Sequence, residues 1–224
     1  MSHQLVDSGS AEVPRGSVGG TRRLLVCGMA AGPVFVAVTT VEIISRQGFD
    51  LRRHGISLLS LGDRGWVQVA NFLLAGLLSV AFAAGVRRAL GPGPGGTAAP
   101  VLICGYGLGL IVTGLFLVDP GEGFPPGTPD RLPVLSWHGA VHAVAPPAAF
   151  LSLVGVCLVL ARRYAGLRRW GWVGYCVVTG LAALGLIFWP GGGGSVRSAL
   201  AVLVTSAWMT AVAADLLAEP AAGS

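Results

Sequence analysis

The chain of 224 residues is 53% hydrophobic and 11% charged, with a net charge of +5 and a mean hydropathy of +0.72. Soluble domains carry about 25% charged residues, so charge is too sparse here to wet a globule of this size. The fifteen basic residues are all Arg and fall in short clusters beside apolar runs. Anionic headgroups attract such residues by about 1 kcal/mol each, which makes membrane lipid the expected partner and argues against nucleic acid.

Residues 1–23 are polar, Gly- and Ser-rich and without periodicity, and read as a disordered cytoplasmic tail. Arg22 and Arg23 then abut an apolar run from Leu24 to about Ile44, too long for a signal-peptide core and followed by no small-residue cleavage site. That run predicts a first spanning helix. Similar runs predict five more, at about 66–86, 101–118, 137–160, 171–189 and 196–217. The breakers GPGPGG, DPGEGFPPGTP and PGGGG separate them. The expected fold class is all-α: one polytopic membrane bundle of six transmembrane helices over 24–217, then a short tail at 218–224. Trp66, Trp137, Trp170, Trp172 and Trp189 fall at predicted helix ends, where indole favours the headgroup level.

Loop charge sets the expected orientation. With the N-terminus inside, Arg15, Arg22, Arg23, Arg87, Arg88, Arg162, Arg163, Arg168 and Arg169 are cytoplasmic, against Arg46, Arg52, Arg53, Arg64, Arg131 and Arg197 outside. The bias predicts N-in/C-in in the cell inner membrane. Gly28 with Gly32, Gly105 with Gly109 and Ser79 with Ala83 are small pairs at four-residue spacing, expected as helix-contact faces. Pro146-Pro147 predicts a kink or an unwound turn in the fourth helix. Cys27, Cys104, Cys157 and Cys176 lie inside apolar runs and read as small reduced fillers rather than a disulfide framework.

The polar residues of the spans gather toward the outer third. Glu42 ends the first helix; Asp63, Arg64, Gln68 and Asn71 open the second; Asp119 closes the third; His138 and His142 open the fourth. Arg64, Gln68 and Asn71 are at i, i+4 and i+7 and share one helix face. His138 and His142 are at i and i+4, about 40° apart around the axis. Lipid penalises polar groups that face outward, so one polar pocket opening outward is expected. Two imidazoles at this spacing, with Asp119 as third ligand and water as fourth, suit Zn²⁺, which would turn that water into a hydrolytic nucleophile. Interhelical hydrogen bonds worth about 0.6 kcal/mol each are the plainer alternative, and a proton relay is another. The stretch 50–65 reads as an amphipathic lid lying along the outer interface. His54, Ser57 and Ser60 either line the pocket or cap local turns.

Three motifs in order, HGISLLSLGDRGWVQVANF (54–72), GLFLVDPGEG (114–123) and WHGAVH (137–142), resemble the domain-of-unknown-function 998 family of bacterial integral membrane proteins. The resemblance covers roughly 24–215 and rests on Ser57, Ser60, Gly65, Trp66, Asn71 and Phe72; Phe116, Asp119 and Pro120; and His138, Gly139 and His142. It implies a six-helix membrane bundle and a site at these positions, but no reaction. The tail and Pro146-Pro147 lie outside that pattern.

Three functions compete on the sequence. The first is a protein whose outer pocket, lined by Glu42, Ser57, Ser60, Asp63, Arg64, Trp66, Gln68, Asn71 and Phe116, binds a lipid or other small apolar molecule. The second is a membrane-embedded enzyme with Asp119, His138 and His142 as its catalytic set. It is read either as a zinc-dependent lipid hydrolase or as an acid-driven cyclase, in which Asp119 or Glu42 protonates a prenyl-type substrate and Phe116, Trp66 and Phe124 stabilise the cation. The third, a transporter, lacks paired interrupted helices and polar steps in the inner half, where Asp215 stands alone.

Overall fold

The structure, a computed structural model, describes residues 15–219, with side chains from residue 19 onward. It contains six α-helices: α1 (Arg15–Ser45), α2 (Gly65–Leu90), α3 (Ala98–Leu115), α4 (Trp137–Gly166), α5 (Trp170–Phe188) and α6 (Gly194–Ala218). A short 3₁₀ helix, Ile56–Ser60, interrupts the connection between α1 and α2. Each α-helix is long and apolar enough to cross a membrane. This is a multi-pass membrane bundle. Helical backbone begins at Arg15, nine residues ahead of the apolar run, so part of the expected tail belongs to α1; residues 1–14 and 220–224 lie outside the described residues.

Consecutive helices pack on one another and α6 closes the ring against α1. One end of the bundle carries the connections 46–64, 116–136 and 189–193; it is called the long-loop end. The opposite, short-loop end carries 91–97 and 167–169. Backbones approach closely where side chains are small. A Cβ on Gly28 would meet the Phe82 ring at 2.3 Å, and one on Gly109 would meet the Ala149 Cβ at 2.7 Å. Close backbone approach is how helices gain dispersion contacts in a solvent as apolar as themselves. α4 stays helical through Pro146 and Pro147, so the expected unwound turn does not form. All four cysteines are free.

The main apolar core, with Leu25, Phe82, Val86, Ile103, Leu153, Val156, Leu160, Trp208 and Val212, extends toward the short-loop end. There Asp215 accepts hydrogen bonds from Tyr164 Oη at 2.8 Å and from both terminal nitrogens of Arg169. The Arg169 guanidinium also lies over the rings of Tyr164 and Trp172, at 5.1 and 5.5 Å. Its hydrogen bonds to Asp215 push its pKa up, so the charge is held. Asp215 is a fastening between α6 and the α4–α5 turn.

A second, smaller apolar cluster of Phe35, Ile56, Phe72 and Ala75 lies toward the long-loop end. The stretch 50–65 does not lie flat along the interface as expected. Ile56, Leu58, Leu59 and Ser60 are buried, so the 3₁₀ helix is a plug in the mouth of the bundle. Burying three large aliphatic side chains stabilises this inward position by about 1.5–3 kcal/mol each relative to exposure in water. The plug reaches α2 so closely that a Cβ on Gly65 would meet the Ser60 carbonyl oxygen at 2.2 Å.

Candidate functional site

The expected single polar pocket is divided into two groups. The first is a seam between α1 and α2. Glu42, almost fully buried, accepts from Arg46 at 3.1 Å and from Arg64 at 2.7 Å. Arg46 also donates to the Leu61 carbonyl and lies 5.7 Å from the Phe124 ring centroid. One turn deeper, Asn71 Nδ2 donates to the Phe35 carbonyl at 3.0 Å and to Thr39 Oγ1 at 3.1 Å, while Gln68 Nε2 donates to Thr39 Oγ1 at 3.2 Å. Of the stripe Arg64, Gln68 and Asn71, the two deeper residues face the interior, where their partner is Thr39 on α1, while Arg64 is half-exposed and reaches Glu42 from the rim. Asp63 and Trp66 are exposed. Phe116 packs edge-on against Trp137 at 5.8 Å.

The second group is a clasp between the end of α3 and the start of α4. Ser136 is the N-cap of α4 and accepts the Gly139 N–H at 3.1 Å. Asp119 accepts from the Ser136 N–H at 2.8 Å and from Ser136 Oγ at 2.7 Å. A carboxylate is favoured at a helix N-terminus by the exposed amides and the dipole. The hydrogen bonds from the Ser136 side chain and backbone hold the Asp119 carboxyl below the ordinary carboxylate range, with His138 and His142 adding to them and burial opposing. His138 Nδ1 stands 3.0 Å from Ser136 Oγ and 4.0 Å from Asp119. His142 Nδ1 lies 2.7 Å from the Phe116 carbonyl oxygen at the C-terminal end of α3. The glycine of the His-Gly-x-x-His pattern has a steric reason: a Cβ on Gly139 would fall 1.8 Å from Asp119 Oδ2.

His54 joins the connections 46–64 and 116–136. Its Nδ1 accepts the Asp50 N–H at 2.9 Å, which leaves Nε2 to donate to the Glu122 carbonyl at 2.9 Å. The rings of Phe49 and Phe124 flank it, each at 5.4 Å. Of the expected pair of roles for His54, turn-fastening is the one observed.

Two cavities lie beside the clasp. The outer one, of about 290 Å³, is lined by Gly55, Ser57, Asp119, Glu122, His142 and Pro146 among others. The inner one, of about 230 Å³, is lined by residues of all six helices and the plug, including Phe35, Phe72, Tyr106, Phe150 and Val202. They share Gly55, Ser57 and Pro146 as a common rim. A family model described as a protein of unknown function (DUF998) matches residues 29–215. The chain belongs to that family. Comparison with curated proteins and with solved structures gave no match. The matched span of the DUF998 chain takes in both cavities, the seam and the clasp.

Among the described residues of the DUF998 chain, no group of three His, Cys, Asp or Glu side chains could hold a metal ion. The expected zinc ligands His138, His142 and Asp119 are not gathered as such a group. His142 is turned to a backbone carbonyl, both Asp119 oxygens are engaged by Ser136, and the His138 side chain is 44% exposed. Nor is the acid role expected of Asp119 favoured, because its surroundings stabilise the ionised form. The expected cation-stabilising rings are elsewhere: Trp66 is exposed, Phe116 is against Trp137, and Phe124 is under Arg46. Asp119, His142 and Ser57 do line the outer cavity, while Glu42, Ser60, Asp63, Arg64, Gln68, Asn71 and His138 do not. Sequence reasoning missed Thr39, Arg46, Glu122, Ser136 and Tyr106. Arg46 follows Glu42 by four residues and Ser136 precedes an apolar helical run, so those two carried a readable signal.

Proposed function

We propose that this protein binds an amphipathic, lipid-like molecule at its long-loop end. The polar head would occupy the outer cavity and the apolar chain the inner one. The observation that supports this reading is the shared rim: at Gly55, Ser57 and Pro146 a cavity whose mainly apolar lining includes the acidic residues Asp119 and Glu122 adjoins a mainly apolar chamber that includes neither. Ligand sites are typically apolar concavities with a few convergent polar groups, and bilayer lipid is the surrounding source of amphipathic molecules. The Arg bias of the loops supports placing the long-loop end outside the cell inner membrane. The chamber also suits a small apolar ligand without a head.

The test is mass spectrometry of lipids that remain on the full chain after purification in detergent, with wild type and Val202→Trp compared. Val202 lines the inner chamber, and an indole there fills it. A species retained by wild type and lost from the variant supports the reading. Identical profiles overturn it. Leu110→Phe, at another wall of the same chamber, is the second variant should Val202→Trp fail to fold.

A further inference from the structure

The outer cavity has an unusual one-sidedness. Its ionisable lining residues are Asp119, Glu122 and His142, and among the described residues no Arg lines it. Of the Arg residues near its lining in the chain, Arg46 and Arg64 pair with Glu42 and Arg53 with Asp130, while Arg52 and Arg131 are exposed, the Arg131 carbonyl accepting the Glu122 N–H at 2.8 Å. Asp119 is 7% exposed, and the His138 imidazole stands 4.0 Å from it.

The backbone adds acceptors of the same kind. Pro146 and Pro147 carry no N–H, so the carbonyls of His142 and Ala143, one turn earlier, lack their helical donors. Both of those residues line the outer cavity. At membrane depth a freed carbonyl needs a donor from protein, water or ligand. His142 Nδ1, the obvious local donor, is taken by the Phe116 carbonyl. The Ser57 hydroxyl, at the rim between the cavities, can accept as well as donate. The Pro pair thus removes two donors beside two carboxylates.

Resting on the two-cavity reading above, we infer that the outer cavity selects a cationic, hydrogen-bond-donating head, a protonated amine on a single apolar chain, through Asp119, Glu122 and the freed carbonyls of His142 and Ala143. An ammonium offers three donors and one positive charge and no acceptor, which complements a wall of acceptors. A carboxylate or phosphate head meets like charge and finds few donors. An alcohol has one donor and no charge, and ranks between them.

The full chain is reconstituted in nanodiscs of zwitterionic phosphatidylcholine, and retention of radiolabelled dodecylamine, dodecanol and dodecanoate is measured at pH 7 against empty nanodiscs. The amine is expected to be retained at least tenfold over the carboxylate. Glu122→Gln is expected to lower amine retention several-fold while leaving the alcohol unchanged, and Asp119→Asn to do the same if it folds. Equal or better retention of the carboxylate overturns the inference, as does an amine preference that survives Glu122→Gln. Val202→Trp separates the two levels. If it abolishes retention of all three probes but no head preference exists in wild type, only the head assignment falls. If it changes the retention of none, the two-cavity reading falls as well.

Discussion

The two ends of the bundle treat a carboxylate in opposite ways. At the short-loop end Asp215 is met by Arg169 and by the Tyr164 hydroxyl, with an apolar core beneath it. At the long-loop end Asp119 is met by a serine and lines a cavity that also includes Glu122 and, among the described residues, no Arg. The seam between α1 and α2 resembles the short-loop end, because Glu42 has two Arg partners. A membrane interior tolerates charge when a partner neutralises it. Polarity alone therefore does not mark a site. Acceptors that outnumber donors around an open volume do.

This contrast orders the expected effects of substitution. The largest belongs to the seam. Glu42→Ala leaves the Arg46 side chain, only 8% exposed, without its carboxylate, and breaking a buried pair costs about 3–5 kcal/mol. Thermal unfolding in detergent should show that loss with no effect on ligand retention beyond the loss of folded protein. Gly139→Ala is next. Its Cβ displaces Asp119 from the α4 N-terminus, and overpacking of this kind costs about 1–3 kcal/mol; the same unfolding measurement, with Gly166→Ala as an uncrowded control, reads it.

Asp119→Asn gives the smallest effect, and one with a pH signature. The folded-state pKa of Asp119 lies below its ordinary value of about 3.9. Its ionised form therefore contributes stability that is complete at neutral pH, declines as pH falls below about 4 and is lost through the folded value. The gap in unfolding temperature between wild type and Asp119→Asn should be constant above about pH 5 and close below pH 4. A gap that widens on acidification contradicts the hydrogen-bonded clasp.

Much of the architecture was legible from the chain. Six apolar runs set the six helices to within a few residues at most ends, because a bilayer imposes one length on every span. The start of α1 is the exception, since a Gly- and Ser-rich segment carries no periodic signal. The interior-facing stripes were also readable from spacing. Their partners were not: Gln68 and Asn71 are paired with Thr39 of α1, and nothing in a linear sequence orders helices around a ring. The burial of 56–60 was hidden for a similar reason. Alternating Leu, Ser and Arg fits an interfacial lid and an inserted plug equally well until the width of the bundle mouth is known. The Pro pair had a readable consequence, two freed carbonyls, but not a readable location beside Asp119 and Glu122.

The central claim is that the long-loop half holds a chamber walled by all six helices and open to small molecules, whereas the packed interior around Ser79 admits none. Single-cysteine labelling in native membranes tests it most directly, with the four natural cysteines replaced by alanine. Ser57→Cys, at the shared rim, and Ser79→Cys, fully buried in α2, are exposed to N-ethylmaleimide in parallel. The account predicts prompt labelling at 57 and none at 79 until the protein is unfolded. Equal labelling at both positions, or protection at 57 equal to that at 79, would contradict it.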